Sequence, residues 1–319
     1  MPPTKRQRGG THSDLDEPAR GDIWFADGNV VLQAESTQFR VYKGTLCSYS
    51  EVFKRLLDGI EDYKGVDGCP LVHVSDSSID MEHILRTIFC RWSYPDSDPL
   101  PFGVISAFAR LGKKYRIQPL YDNALLRLQY AFPSSYEEYV KSNVATKILF
   151  ANPTNSRVPQ CEIAIDTIVL ARELDVPSLL PISFWLAATR IELLSAHDSP
   201  SLSDADRKIL MSSSKPLRIA HASYLYGWLD ENHINPDCTR PPTCAINKTR
   251  LALKLWKPPG VTPAFGWQLG LAKPLCESCI AAGLNHHSAG SQQLWRELPS
   301  FFGLRSWEEL LVAPPNAQG

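Results

Sequence analysis

The feature that most constrains the fold is a run from about residue 21 to residue 132, in which short strands precede several helices. Apolar residues alternate at period two around Asp27-Gly28-Asn29: Ile23, Phe25, Val30, Leu32 and Ala34. The pattern predicts a hairpin whose turn tolerates positive φ. Gln38 to Tyr42 predicts a third strand, and residues 69–74 a short fourth one.

Helical spacing replaces the period of two after Tyr42. Ser50 is a good N-cap for a helix over 51–57, and Ser78 or Asp80 can cap the next one. Two further helices are expected over 102–115 and 118–131. Strands that come first form a small sheet, and the helices must cover its apolar face. The prediction is therefore an α+β fold with a helical bulk.

Two stretches of this run resemble the BTB/POZ domain. Asp22-Ile23-Trp24-Phe25-Ala26-Asp27-Gly28 resembles its opening strand, and Phe39-Arg40-Val41-Tyr42-Lys43-Gly44-Thr45-Leu46 resembles its F-x-x-H-K-x-x-L signature. Ser48, Ser50, Val52, Phe53, Leu56 and Leu57 continue that signature. With Val72-His73-Val74-Ser75-Asp76 and the helix after it, the run is most similar to the BTB proteins numerous in mushroom-forming (basidiomycete) fungi.

The resemblance covers about a third of the chain and implies a protein-interaction module. It assigns signature or interface positions to Asp22, Phe39, Tyr42, Lys43, Leu46, Ser50 and Phe53. Tyr42 stands where the family usually has His, so its hydroxyl replaces the imidazole hydrogen bond or its ring simply packs. Asp22 matches an acidic residue near the subunit interface of family dimers, or it only starts a strand.

The family implies that the chain binds proteins, as a homodimer or a BTB heteromer. Some members are substrate adaptors for cullin-type ubiquitin ligases, and others are transcriptional regulators or channel-assembly domains. We therefore expect an adaptor or scaffold, with a nuclear, chromatin-linked regulator as the alternative. An enzyme is a remote alternative, because the chain has no G-x-S-x-G elbow, phosphate-binding glycine loop or H-E-x-x-H motif. No catalytic residue is assigned.

Residues 134–230 predict a helical extension, with a break at Asp175-Val176-Pro177. Separate helices are expected over 204–211 and 217–229. After a BTB module, such helices resemble the extension that shapes a partner groove in relatives; the alternative is a spacer.

Residues 231–319 are rich in proline and cysteine, which predicts a loop-rich segment ending in short helices. Ser306 with Glu309 fits a capping box. The nearby aromatic and apolar side chains form the core or an exposed partner site: Trp295, Phe301, Phe302, Leu304 and Trp307.

Four cysteines in this segment have spacing suited to a structural zinc ion. Cys276-Glu277-Ser278-Cys279 lets two thiolates reach one tetrahedral ion, and Cys238 with Cys244 could supply the other pair. The five-residue gap between Cys238 and Cys244 is longer than usual. Unligated thiols or a redox pair are the alternatives, and His286 and His287 are reserve ligands.

Residues 1–20 predict a disordered tail. Lys5, Arg6 and Arg8 form a nuclear import signal or simply a solvated charged tail. Without a secretory segment or a run of about 20 apolar residues, we expect an intracellular protein of the nucleus, the cytoplasm or both. The net charge of −1 provides no overall basic field for nucleic acid or membrane, and no small-molecule substrate is indicated.

Overall fold

A computed structural model describes residues 18–60, 65–90, 94, 98–141, 148–149, 158–188, 202–230, 235–256 and 274–312. The chain is mixed α and β, mostly helical, with one small four-stranded sheet. The predicted combination of a small sheet and many helices is confirmed. Two compact units make up the chain: residues 1–97 with 106–123, and residues 98–105 with 124–319.

The sheet of the first unit consists of β1 (Ala19–Trp24), β2 (Val30–Ala34), β3 (Thr37–Val41) and β4 (Leu71–Val74). Its strand order is β1-β3-β2-β4. β2 and β3 are antiparallel, whereas β1 pairs in parallel with β3, and β4 pairs in parallel with β2. β1 begins at Ala19, within the tail predicted to be disordered.

The predicted hairpin around Asp27-Gly28-Asn29 is wrong, because β3 lies between β1 and β2. The tight turn is Glu35-Ser36, between the paired residues Ala34 and Thr37. Glu35 has a φ of 49°, and a two-residue hairpin turn requires such left-handed backbone. Its carboxylate accepts hydrogen bonds from Ser78 N at 3.0 Å and Ser78 Oγ at 2.9 Å. Both hydrogen bonds lower the pKa of the Glu35 carboxyl, and the one from the Ser78 backbone N–H has the larger effect.

Five helices follow the first strands: α1 (Lys43–Tyr49), α2 (Glu51–Leu56), α3 (Ser78–Phe89), α4 (Phe102–Lys114) and α5 (Gln118–Ala131). Ser50 caps α2 as predicted, since its Oγ accepts from Phe53 N at 3.0 Å. The same hydroxyl donates to Tyr115 O at 2.5 Å. The cap of α3 is Ser77, which precedes both predicted candidates.

The second unit contains a two-stranded parallel sheet of β5 (Leu100–Pro101) and β6 (Ile148–Leu149). Its helices are α6 (Tyr136–Lys141), α7 (Val158–Leu174), α8 (Leu180–Ala188), α9 (Asp204–Tyr226), α10 (Pro241–Trp256), α11 (Glu277–Phe301) and α12 (Trp307–Leu311). The predicted break after Leu174 is confirmed, with Asp175 at a φ of 54°. The two helices predicted between 204 and 229 are instead one 23-residue helix that continues through Pro216.

The prediction of a loop-rich C-terminal segment is wrong for the part of it that the structure describes. Helices α10 and α11 have 16 and 25 residues. Pro241 and Pro242 lie in the first turn of α10, where a missing N–H breaks no helical hydrogen bond. Pro299 lies in the last turn of α11. These three prolines therefore lie at helix ends.

The aromatic cluster near the C-terminus belongs to the core. Trp295 and Trp307 stack with centroids 5.0 Å apart, and Trp307 Nε1 donates to the Trp295 carbonyl at 2.7 Å. Phe302 is buried and stacks on Phe184 at 5.2 Å. The predicted capping box of Ser306 and Glu309 is present and starts α12 beside this cluster. Of the two interpretations, core packing is the one the structure supports.

Among the described residues, no helix combines the length and the apolar character needed to cross a bilayer.

Candidate metal centre

Three short pieces of the chain bring four cysteines together. Cys238 follows a turn in which its backbone N–H donates to the carbonyl of Asn235 at 3.1 Å, and Cys244 lies in the first turn of α10. Cys276 is the N-cap of α11, and Cys279 lies in its first turn. The four Sγ atoms all lie within 4.8 Å of one another. These are the four residues predicted from spacing.

The distances between the sulfur atoms fit a tetrahedral thiolate site. A Zn–S bond of about 2.3 Å places tetrahedral sulfurs about 3.8 Å apart. Cys238 Sγ and Cys276 Sγ are 3.8 Å apart. A disulfide needs about 2.05 Å, and every cysteine whose side chain is described is a free thiol.

The cluster is largely shielded from solvent. Cys244, Cys276 and Cys279 are 2%, 4% and 2% exposed, and Cys238 is half-buried. The three buried cysteines belong to a cluster of buried hydrophobic residues that also contains Trp228, Leu229, Leu251 and Leu275. Four protein thiols in such surroundings form a closed donor set, which suits a structural ion better than a catalytic one.

The thiols differ in how readily they lose a proton. The backbone amide of Cys279, with further help from Thr239, lowers the pKa of Cys276 to about 5. These hydrogen-bond donors favour the thiolate form of Cys276, and their effect outweighs the opposing effect of burial. Burial instead raises the pKa of Cys279 to about 12 and also raises the pKa of Cys244. A divalent cation would override these opposite pKa shifts, because its charge favours the thiolate form of all four cysteines.

Two N–H donors, one from a side chain and one from the backbone, hold sulfur atoms of the cluster in place. Asn235 Nδ2 donates to Cys279 Sγ at 3.8 Å, and the backbone N–H of Cys276 donates to Cys244 Sγ at 3.3 Å. Asn235 was missed by the sequence analysis, although Asn-Pro-Asp is a recognisable turn signal. The reserve ligands His286 and His287 are not members of the clustered donor set.

The residues that resemble the BTB/POZ signature lie in the first unit. Phe39, Leu46 and Phe53 are fully buried in its core, and Ser50 is the buried cap described above. The backbone N–H of Lys43 donates to Asn29 Oδ1 at 2.7 Å. This bond ties the start of α1 to the loop before β2.

Asp22 is exposed and lies inside β1, so it does not start that strand. Its carboxylate pairs with Arg86 at 3.1 Å. An exposed ion pair of this kind contributes at most about 1 kcal/mol. The import candidates Lys5, Arg6 and Arg8 lie outside the described residues.

Tyr42, the departure from the signature, both packs and hydrogen-bonds. Its ring lies 5.0 Å from that of Phe25 and 6.2 Å from that of Phe89. Its hydroxyl donates to Asp27 Oδ1 at 2.5 Å. This hydrogen bond is the main cause that lowers the pKa of Asp27.

We expect Tyr42→Phe to raise the pKa of Asp27 back toward its ordinary value of 3.8, because the hydroxyl donor is lost. A carboxyl group whose pKa is lower in the folded than in the unfolded protein stabilises the fold at pH values above its unfolded-state pKa. This stabilisation is lost as the pH falls through the folded-state pKa. The variant should therefore show a weaker loss of stability below pH 4. NMR titration of the Asp27 carboxyl measures the shift directly, with Tyr49→Phe, at a half-exposed ring, as control. An unchanged Asp27 pKa would contradict the assignment.

Neither a scan of protein-family models nor a search of curated proteins finds a match to this chain.

Proposed function

We propose that the chain is a protein-interaction adaptor or scaffold that acts through a BTB/POZ-type module in its first unit. The observation that carries the proposal is the position of the signature residues. Phe39, Leu46 and Phe53 are each fully buried in a unit with a small sheet and helices, the arrangement expected of such a module. Ser50 connects the same signature to Tyr115 through a buried hydrogen bond.

The second unit, in this proposal, is stabilised by one structural zinc ion held by Cys238, Cys244, Cys276 and Cys279. The sulfur spacing, the burial and the all-thiol donor set support zinc over Ca²⁺ or Mg²⁺, which prefer oxygen ligands. The ion would join the turn before α10 to the start of α11. With four protein ligands no position is open to a substrate, so its role is structural and no enzymatic activity is proposed.

The proposed partners are proteins: a second copy of this chain, another BTB protein, or a cullin. Large apolar side chains on three helices of the first unit are exposed and offer contact points: Tyr49, Leu56 and Ile79. Single exposed apolar residues are common on protein surfaces, so they indicate where to mutate rather than what binds.

Affinity capture of the full chain, with partners identified by mass spectrometry, tests the function. Recovery of a cullin supports the adaptor role, whereas nuclear regulators without a cullin support the transcription- or chromatin-linked alternative. Light scattering of the purified chain at micromolar concentration tests self-association. A monomer that captures neither a cullin nor another BTB protein would contradict the proposal.

A further inference from the structure

The four thiols of the cysteine cluster are not equally accessible. Cys238 is half-buried, whereas the other three are 4% exposed or less. Cys238 is therefore the cluster residue that solvent reaches most, and we expect a small oxidant from solvent to meet it first. Oxidation of cysteine follows thiolate character and exposure, and a zinc-bound cysteine is already a thiolate.

Each of the other three sulfurs lies within 4.8 Å of the Cys238 sulfur, and the hydrogen bonds that two of them accept favour the third as its reaction partner. Cys276 Sγ lies 3.8 Å from Cys238 Sγ. Cys244 Sγ accepts the Cys276 backbone N–H at 3.3 Å, and Cys279 Sγ accepts from Asn235 Nδ2 at 3.8 Å. Closing 3.8 Å to a disulfide bond of about 2.05 Å needs a shift of roughly 2 Å. Cys238 lies on a short non-helical stretch before α10, where such a shift is easiest.

We infer that Cys238 is a site of oxidation by hydrogen peroxide and that Cys276 is its resolving cysteine. The Cys238 thiolate attacks the peroxide O–O bond and becomes a sulfenic acid, and hydroxide leaves. The Cys276 thiolate then attacks that sulfur, forms the Cys238–Cys276 disulfide and releases a second hydroxide. Sulfur loses two electrons and the peroxide gains two.

Zinc release follows from this chemistry, and that part rests on the proposed structural zinc. The disulfide removes two of the four thiolate ligands, and Cys244 and Cys279 alone do not complete a tetrahedral site. Peroxide thus converts a metal link between the turn before α10 and the start of α11 into a covalent one. Reduction of the disulfide restores both thiolates and the site.

The test treats the purified full chain with hydrogen peroxide in two forms, as zinc-loaded protein and as protein stripped by a chelator. For the loaded form we expect release of about one zinc and loss of about two thiols per chain, both reversed by a phosphine reductant with added zinc. Disulfides are mapped by tandem mass spectrometry after cleavage at both Lys248 and Glu277, which separates Cys276 from Cys244 and from Cys279. The expected cross-link is Cys238 to Cys276, and it should be the main product in both forms.

Matched variants make the result specific. In the stripped protein, Cys238→Ala should abolish the cross-link, while Cys90→Ala, at a half-buried thiol outside the cluster, should leave it unchanged. A Cys276–Cys279 disulfide as main product, or zinc-loaded protein that peroxide leaves intact, overturns the inference while the zinc site stands. A chain that never holds zinc but still forms the Cys238–Cys276 cross-link overturns the zinc proposal and leaves this reaction in place.

Discussion

Replacement of Cys279 by Ser is expected to abolish stoichiometric zinc binding and to destabilise the second unit. Cys279 is 2% exposed, and a serine hydroxyl in its place would be a poor zinc ligand. The substitution would therefore leave the three remaining buried thiols without a cation. Structural zinc contributes about 10–16 kcal/mol in zinc-finger peptides. Loss of only about 3 kcal/mol would lower the thermal midpoint by roughly 6–12 °C in a unit of this size.

The measurement combines elemental analysis with thermal unfolding of the full chain. Cys90→Ser is the matched control, because Cys90 is half-buried and lies outside the cluster. Addition of a strong chelator to the unmodified chain should lower the midpoint of the same thermal transition that Cys279→Ser lowers. The chelator should not lower the midpoint of the Cys279→Ser variant any further. A purified chain without stoichiometric metal, whose unfolding is indifferent to chelator, would remove zinc from the proposal.

The cysteine cluster could be predicted because the chemistry limits the choice. Few residue types bind zinc, and the two-residue spacing in Cys276-Glu277-Ser278-Cys279 matches the reach of two thiolates to one ion. The longer gap from Cys238 to Cys244 is spanned because a turn supplies the first sulfur and a helix the second. Asn235 was not predicted, since a side chain that contacts a ligand from a loop leaves no periodic signal.

The incorrect predictions arise where local signals permit two structures. Asp27-Gly28-Asn29 is a good hairpin turn by composition, yet β1 pairs with β3 and leaves that loop as a crossover. Pairing partners depend on contacts far apart in sequence, which local alternation does not encode. Proline likewise breaks a helix interior but is tolerated in its first turn, so Pro241 and Pro242 begin α10.

Phe53→Ala is expected to be among the most destabilising single substitutions in the first unit. The ring is fully buried and stacks on Tyr115 with centroids 4.1 Å apart and planes within 6°. Truncation of such a side chain removes its burial and leaves a cavity, at a cost of about 3–5 kcal/mol. That is a large part of the roughly 5–15 kcal/mol that stabilises a typical domain.

Urea denaturation of the full chain measures this loss, and Leu56→Ala is the matched control. Leu56 belongs to the same helix, α2, but is 40% exposed, so its truncation should cost less than about 1 kcal/mol. Because Phe53 is fully buried and Leu56 is not, Phe53→Ala should lose self-association together with its fold, whereas Leu56→Ala should keep the fold. If both variants unfold at the same urea concentration, Phe53 does not have the core position that the proposed module requires.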